Sequence, residues 1–568
     1  MISLEKKMTS AIFTEHLKNS SGILTLEKAV YHWNKKDAYA LRYYFSNTDQ
    51  APVQYVGMLV KDQKNLIIDG QGSTLLFRGH MAPVVIDGCE NITLRNFIID
   101  FDPPLVAEGE VVGRGENTAD VRIDRSLYPC EMKDNWLHFD IGEEESSEFF
   151  RPTQIHFSRD LCVTPGTGDD FHPTAVEQIA DDVFRITARR RPKDEAPYVG
   201  DWFVLRHNMR LHPAALVENS KNITFENITV YNCGGLGLLC QFNDTLTFRR
   251  VFFEPNTAAG RRIFSGRDDG LHLTSNEGHI LVEDCSFVGL MDDPINVHGC
   301  SVKVLSIHED RRSLRVRFMH DQAYGFHHFA RPGDRISLID QNNMSEVATY
   351  TVDKCIREDE RELTIFTREE IQETADHLAL ENITNVVDFT CRRNRFGSCR
   401  ARGVLISTRG KVVVEENLFE SSGTALLFAG DANGWYESGE CRDVTVRKNI
   451  FTDKCMSSMY GASSGFITIH PEIPHPEMDK PFHKNLVIEE NVFYTPDTPL
   501  LDAFSAQNLV FRNNLVFRST GRENITGKDS LFLLRWCRDV EITGNRMTGN
   551  FRMHAIEAEN VENLTADM

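Results

Sequence analysis

The sequence lacks a paired-cysteine framework. Its 13 cysteines are odd in number and scattered, as at Cys89, Cys130, Cys162, Cys233, Cys240 and Cys285, without a CxxC pair. That usage suits buried free thiols in a reducing compartment better than a disulfide scaffold. No apolar run reaches about 18 residues, which excludes a membrane-crossing helix. The N-terminal stretch MISLEKKMTSAIFTEHLKNSSG has no continuous apolar segment of the signal-peptide kind, so a cytoplasmic location is the expectation. Positive charge is also short: 62 Lys and Arg face 83 Asp and Glu, a formal net charge of −21. Nucleic acid or a polyanionic sugar would want a basic face, so neutral substrates are favoured.

What is present is a repeat. At 568 residues, with 41% hydrophobic and 26% charged residues, the chain is a folded protein too long for one compact core. A phrase made of a short alternating strand, a polar residue and often Asn, and a second apolar strand recurs. It reads NITLRNFII at 91–99, NITFENITV at 222–230, HILVEDCSFV at 279–288, KVVVEENLFE at 411–420, NLVIEENVF at 485–493 and NLVFRNNLVF at 508–517. Period-2 alternation of β-branched and aromatic residues is the strand signature. Asn491 and Asn514 lie 23 residues apart, about one coil of a parallel β-solenoid, whereas Asn417 and Asn449 lie 32 apart, as loops inserted at a corner would produce. The fold class expected is all-β, a right-handed parallel β-helix whose units bury their apolar faces only by stacking. Turn asparagines tolerate left-handed angles and can bond along the stack. Asn91, Asn222, Asn227 and Asn524 also match N-x-[ST], and the turn role is preferred over glycosylation.

Two stretches, about 105–205 and 300–385, lose the phrase and gain charged hairpin-like strands, with similar fragments VGDWFVLRHN at 199–208 and PGDRISLIDQ at 332–341. They read as two small antiparallel β-barrels inserted into the solenoid. Residues 1–60 read as an irregular cap with one short amphipathic helix near 9–18. The coils then occupy 61–104, 206–299 and 386–568.

The segment from Arg261 to Gly299 carries the chemistry. It holds two doublets, Asp268-Asp269 and Asp292-Asp293, and 24 residues separate Asp269 from Asp293 in the phrases Asp-Gly-Leu-His-Leu and Asp-Pro-Ile-Asn-Val. Stacked strands lie roughly 4.8 Å apart, so one coil of offset would gather four carboxylates on one patch. Such crowding raises one pKa of a close pair, the requirement for glycoside hydrolysis, where one carboxyl must stay protonated as acid. Separations of roughly 5–5.5 Å favour retention and roughly 6.5–9.5 Å inversion. Strand parity puts Asp268 and Asp292 outward with His272, Asn296 and His298, yet a turn at each doublet would turn Asp269 and Asp293 outward instead. Asp-Gly and Asp-Pro are also ordinary turn dipeptides, and calcium binding is a rival use of clustered carboxylates. The absence of a Lys/Arg cluster on the doublet strands counts against an anionic-sugar enzyme of the polygalacturonase or lyase type. A non-catalytic glycan-binding solenoid is the remaining alternative.

The phrases YNCGGLGLLCQ, GRRIFSGRDDGLH and GLMDDPINVHG within 231–299, with GVLISTRGKVVVEENLF at 403–419, NGWYESGECRDV at 433–444 and IIDFDPP at 98–104, resemble glycoside hydrolase family 110, the α-1,3-galactosidases. The resemblance covers nearly the whole chain beyond the N-terminal region. It implies an inverting, exo-acting enzyme that removes terminal α-1,3-linked galactose from an oligosaccharide without metal or other cofactor, and it suggests self-association. The family's three active-site aspartates fall on Asp269, Asp292 and Asp293. Asp292 and Asp293 are then expected as the acid/base pair, with Asp269 assisting water or substrate; Asp268 departs from the family pattern. Trp435, on a Gly/Asn-rich loop, is expected to offer an aromatic face to the sugar. Arg262, Arg267, Asp268, His272, Asn296, His298 and Glu437 are further substrate-binding candidates, and His470 and Glu472 are weaker ones.

Overall fold

A computed structural model describes residues 4–51, 53–149, 155–157, 172–189, 199–207, 209–261, 263–326 and 328–567. The fold is a parallel β-helix. One of its sheets stacks Gln54–Lys61, Ala82–Asp87, Ala215–Glu218, Leu238–Gln241, Leu271–Thr274, the start of Ile295–Ile307 and Val404–Ser407 as successive parallel rungs. It continues through Leu426–Phe428, Ile467–Ile469 and Leu501–Phe504. A second parallel sheet runs alongside through Lys64–Arg78, Glu90–Phe101, Lys221–Val230, Asp244–Phe253, Glu277–Glu283 and Val387–Arg392. Alternate residues of each rung point inward and stack on their like, which is why the repeat phrase keeps its apolar positions. Phe287, Phe396, Phe419, Phe451 and Phe493 form one such column, with ring centroids 4.6–5.4 Å apart.

The turn asparagines form the second column. In Asn394, Asn417, Asn449, Asn491 and Asn514, the backbone N–H and side-chain Nδ2 both donate to the Oδ1 of the next asparagine, ending at Asn545, all at 2.9–3.0 Å. These groups are buried, so each lost acceptor strands two donors. Asn449→Ala should therefore destabilise the C-terminal coils by about 2–4 kcal/mol, and a urea melt of the variant checks it. Asn91, Asn222 and Asn227 sit at positive φ and link by side-chain bonds of 2.7–2.8 Å to Asn65, Asn91 and Asn96. The twelve described cysteines are free, and eleven are buried.

In the first interruption, antiparallel strands run in the order Ile155–Phe157, Trp202–Leu205, Ala107–Arg114, Thr118–Arg122, Val183–Arg189, His172–Gln178, an open order among the described residues. A three-stranded sheet, Cys130–Lys133, Trp136–Gly142 and Glu145–Glu148, accompanies it. In the second, the far end of Ile295–Ile307 pairs with Ser313–Arg317 and Leu378–Asn382, and Glu362–Thr367, Glu346–Arg357 and Arg335–Asp340 close the ring. One strand thus belongs to both the solenoid and this barrel.

The N-terminal region departs from an irregular cap. The helix Ser10–Lys18, capped by Thr9, lays Phe13 and Leu17 over the solenoid end, with Phe13 against Trp33. But Glu5–Met8 pairs in parallel with Val30–Asn34, which pairs in parallel with Lys64–Arg78, so stacking has already begun there. The buried faces of Tyr31 and Trp33 continue the core column, which is what the alternation in VYHWN encodes.

Candidate active site

The doublets are in register. Leu271 pairs with Ile295, His272 with Asn296 and Thr274 with His298, so Asp269 and Asp293 occupy equivalent corners of adjacent coils. The corner is tight: a Cβ on Gly270 would lie 2.6 Å from the Pro294 carbonyl oxygen, so glycine is required there. The two turn dipeptides are therefore structural in their Gly and Pro, while their aspartates are left to the site.

One oxygen from each of Asp269, Asp292 and Asp293 lies within 4.8 Å of the others. The fourth carboxylate is held by arginines. Asp268 accepts from Arg210 Nη2 at 2.8 Å and from Arg267 Nη1 at 2.9 Å. Burial opposes its charge, but these two guanidinium groups hold its pKa down at about 2. Asp293 accepts from Arg402 Nε at 2.8 Å and Nη2 at 2.7 Å, a bidentate pair, and from the Arg402 backbone N–H at 3.1 Å. Asp292 accepts from Arg210 Nη2 at 3.0 Å. Burial and the facing Asp269 and Asp293 outweigh that one bond and push its pKa up to about 8. Asp269 is raised well above the carboxylate range by burial and by Asp293. Among the three, the Asp292 side chain keeps 16% of its accessibility, against 4% for Asp269 and 1% for Asp293. Of the carboxyls whose pKa is raised, Asp292 is the more open to solvent.

Behind Asp269 runs a chain of imidazoles. His272 Nδ1 lies 2.8 Å from Asp269 Oδ2, and His272 Nε2 lies 3.0 Å from His298 Nε2. His298 Nδ1 lies 2.6 Å from the Gly299 carbonyl oxygen. Glu437, brought in where Cys300 pairs with it, stands 3.7 Å from His298 Nε2 and 3.3 Å from Asn296 Nδ2. Burial opposes the Glu437 charge, yet His298, His272 and Asn296 hold its pKa below the ordinary value. Trp435 stacks on His320 with centroids 4.0 Å apart and stays 47% exposed. Asp431 fixes that loop by accepting the backbone N–H groups of Asn433, Gly434, Trp435 and Tyr436.

Other placements differ from the sequence expectations. Arg267 serves Asp268. Arg262 lies outside the described residues. His470 donates its backbone N–H to Phe428 and rests its ring near Phe504, and Glu472 binds Gly430 through its backbone; among the described residues neither bonds to the aspartate cluster. The expected absence of a basic cluster is corrected: Arg267, next to Asp268 in the chain, is joined at the doublets by Arg206, Arg210, Arg400 and Arg402 from other parts of the chain. Arg210, Arg267 and Arg402 neutralise the aspartates, so their positive charge is not presented to a sugar acid. Tyr460, beside Arg400 and Arg402 with centroids 4.6 and 5.1 Å from their guanidinium carbons, was also missed.

Neither cluster suits a metal ion. In His272 and His298 all four ring nitrogens face a hydrogen-bond partner, leaving no lone pair free. At the aspartates, three guanidinium groups stand where a cation would supply charge.

A family model described as GLAA-B β-barrel domain II matches residues 313–376, within the closed barrel. Alpha-1,3-galactosidase B of Bacteroides thetaiotaomicron is 35% identical over 531 residues, 93% of this chain and 86% of that one. The chain belongs to glycoside hydrolase family 110, the α-1,3-galactosidases. Alpha-1,3-galactosidase B of Akkermansia muciniphila is 31% identical, covering 97% of this chain and 68% of its own. Alpha-1,3-galactosidase A of Bacteroides fragilis is 28% identical, covering 97% and 91%. As a family 110 member this chain is a glycoside hydrolase, which gives the aspartate cluster a reaction to perform.

Proposed function

We propose that the enzyme removes terminal α-1,3-linked galactose from Galα1-3Gal glycans, linear or bearing the α-1,2-linked fucose of blood group B, by an exo-acting, inverting hydrolysis. The observation that carries the reading is the division of labour among three crowded aspartates. Asp292, protonated and the most open of the three to solvent, is the general acid that gives its proton to the departing oxygen. Asp269 and Asp293 hold the attacking water on the other side. A water can bridge oxygens up to about 5.6 Å apart, twice a short hydrogen bond, and theirs lie within 4.8 Å.

Spacing alone would suit retention, for which carboxyls stand roughly 5–5.5 Å apart. Availability favours inversion. A nucleophilic carboxylate must be ionised and open to the anomeric carbon, and Asp293 has both oxygens bound to Arg402 while Asp269 is held protonated. The exo reading is supported by chain segments that meet at Arg210, the residue that donates to Asp292. There the N-terminal segment bonds to Arg210 through Asn47 Oδ1 at 2.6 Å and Asp49 Oδ2 at 2.9 Å, and Asp49 Oδ1 accepts from Gln322 of the barrel at 2.6 Å.

Proton NMR of wild-type digests of Galα1-3Gal and of the blood-group-B trisaccharide tests the proposal. β-Galactose should appear first, and relative rates give the branching preference; no galactose from either sugar would overturn the substrate, and α-galactose first would overturn inversion. Trp435 offers its free ring face to the apolar side of the sugar. Trp435→Ala should raise KM about tenfold, a stacking contact of about 1.4 kcal/mol, with kcat within about threefold. Steady-state kinetics on Galα1-3Gal checks this, and an unchanged KM would remove Trp435 from the site.

A further inference from the structure

The assignment of Asp269 to the water side raises a difficulty. A carboxyl held protonated accepts a proton poorly, and the hydrogen bonds behind it show how the difficulty is met. The Gly299 carbonyl can only accept, so His298 Nδ1 carries a hydrogen. The two Nε2 atoms, 3.0 Å apart, share one hydrogen, because none or two would set like charges face to face. One more hydrogen lies between His272 Nδ1 and Asp269 Oδ2.

Four arrangements place one hydrogen in each gap, and two of them make His272 an imidazolium or an imidazolate, a charge that its complete burial opposes. The other two keep it neutral. In the first, Asp269 Oδ2–H donates to His272 Nδ1, His272 Nε2–H donates to His298 Nε2, and all three groups are neutral. In the second, both gap hydrogens have moved one place outward: Asp269 is a carboxylate, His272 is the other neutral tautomer, and His298 is an imidazolium beside the Glu437 carboxylate.

We infer that Asp269, His272 and His298 form a proton relay that carries the proton of the attacking water away from the aspartates to His298 and Glu437. The inference rests on the proposed placing of Asp269 beside the water. As the water oxygen bonds to the anomeric carbon, its proton goes to Asp269 Oδ1, the Oδ2 proton goes to His272 Nδ1, and the His272 Nε2 proton goes to His298 Nε2. The bond from the anomeric carbon to the departing oxygen breaks with its electron pair, and that oxygen takes the proton of Asp292. Charge balances: Asp292 becomes a carboxylate and His298 an imidazolium, while Asp269 and His272 end neutral.

Three features fit a relay better than a brace. His272 stays neutral throughout, so the burial and the neighbouring His298 that hold its pKa down to about 3 place no obstacle in the path. The terminus has a counter-charge, since Glu437 is held ionised 3.7 Å from His298 Nε2. The terminus is also the wetter end: the Glu437 side chain keeps 16% of its accessibility against 0% for His272, so the proton leaves to solvent there.

The test is a proton inventory on the single-turnover rate, with enzyme in excess over Galα1-3Gal in mixtures of H2O and D2O. The relay moves several protons together, so the wild-type rate should fall along a bowed curve as deuterium rises. His272→Asn keeps an acceptor for Asp269 but cannot exchange tautomers. It should lower the single-turnover rate roughly 10- to 100-fold, keep KM within about twofold, and straighten the inventory. A straight wild-type inventory overturns the relay without any variant. A His272→Asn enzyme that keeps its rate, or slows while its inventory stays bowed, overturns it too. The product's anomeric form separates the two ideas: β-galactose first with a straight inventory removes only the relay, whereas α-galactose first removes the mechanism beneath it.

Discussion

Asp292→Asn should lower kcat/KM on Galα1-3Gal by roughly 10²–10⁴, the range spanned by general acids. An aryl α-galactoside with a good leaving group needs little protonation and should lose far less. The pH profile carries the same signature. The acid must be protonated, and burial with the facing Asp269 and Asp293 lifts the Asp292 pKa to about 8. Wild-type kcat/KM should therefore hold below that pH and fall about tenfold per unit above it. Asparagine cannot titrate, so that limb should vanish from the variant. Folding is not at stake, because Arg210 keeps its 2.8 Å bond to Asp268 and a neutral amide relieves the crowding. The melting temperature should stay within about 2 °C. Equal losses on both substrates, or an alkaline limb that survives, would take the acid role from Asp292.

The parts of the site that lie on adjacent coils were legible. Stacking forces equal residues of successive coils together, so the spacing from Asp269 to Asp293 was enough to bring the doublets to one patch, and the same logic made Asn491 and Asn514 neighbours. What an inserted barrel separates was not. Arg402 lies 109 residues after Asp293 yet beside it, because the barrel intervenes between two consecutive rungs. The signal was there: Arg-Gly-Val-Leu-Ile at 402–406 takes the same corner as Asp-Pro-Ile-Asn-Val at 293–297. Arg210 and Asn47 left less trace, since they sit in loops whose course no periodicity dictates. Roles were hidden for a further reason. Asp293 is expected from the sequence to pair with Asp292 as acid and base, and nothing in the spacing announces that Arg402 clamps both of its oxygens. Ring orientation decides whether His272 and His298 are two polar neighbours or one conduit, and orientation is a property of packing.

Arg402→Ala tests that clamp and should damage both stability and rate. Asp293 is almost wholly buried and receives three donors, all from Arg402. Removing the guanidinium leaves a carboxylate without a counter-ion beside two other carboxyls, a change that costs about 3–5 kcal/mol if the charge persists. For a chain of this size that is a fall in melting temperature of roughly 3–5 °C. The loss must depend on pH in one direction. A carboxyl that prefers its neutral form in the folded variant favours folding in acid, and that support is lost as pH rises and the charge must be buried bare. The deficit against wild type should thus be small near pH 5 and largest near pH 8. Arg402→Lys restores a positive charge without the planar fork and should recover part of the stability and less of the rate. Activity should fall roughly 10²- to 10³-fold, as expected for a lost charge that shapes its neighbours' ionisation. Melts of the three proteins at both pH values decide the matter: a deficit independent of pH would mean that Arg402 acts by packing alone, and its bidentate bond to Asp293 would then carry no part of the chemistry.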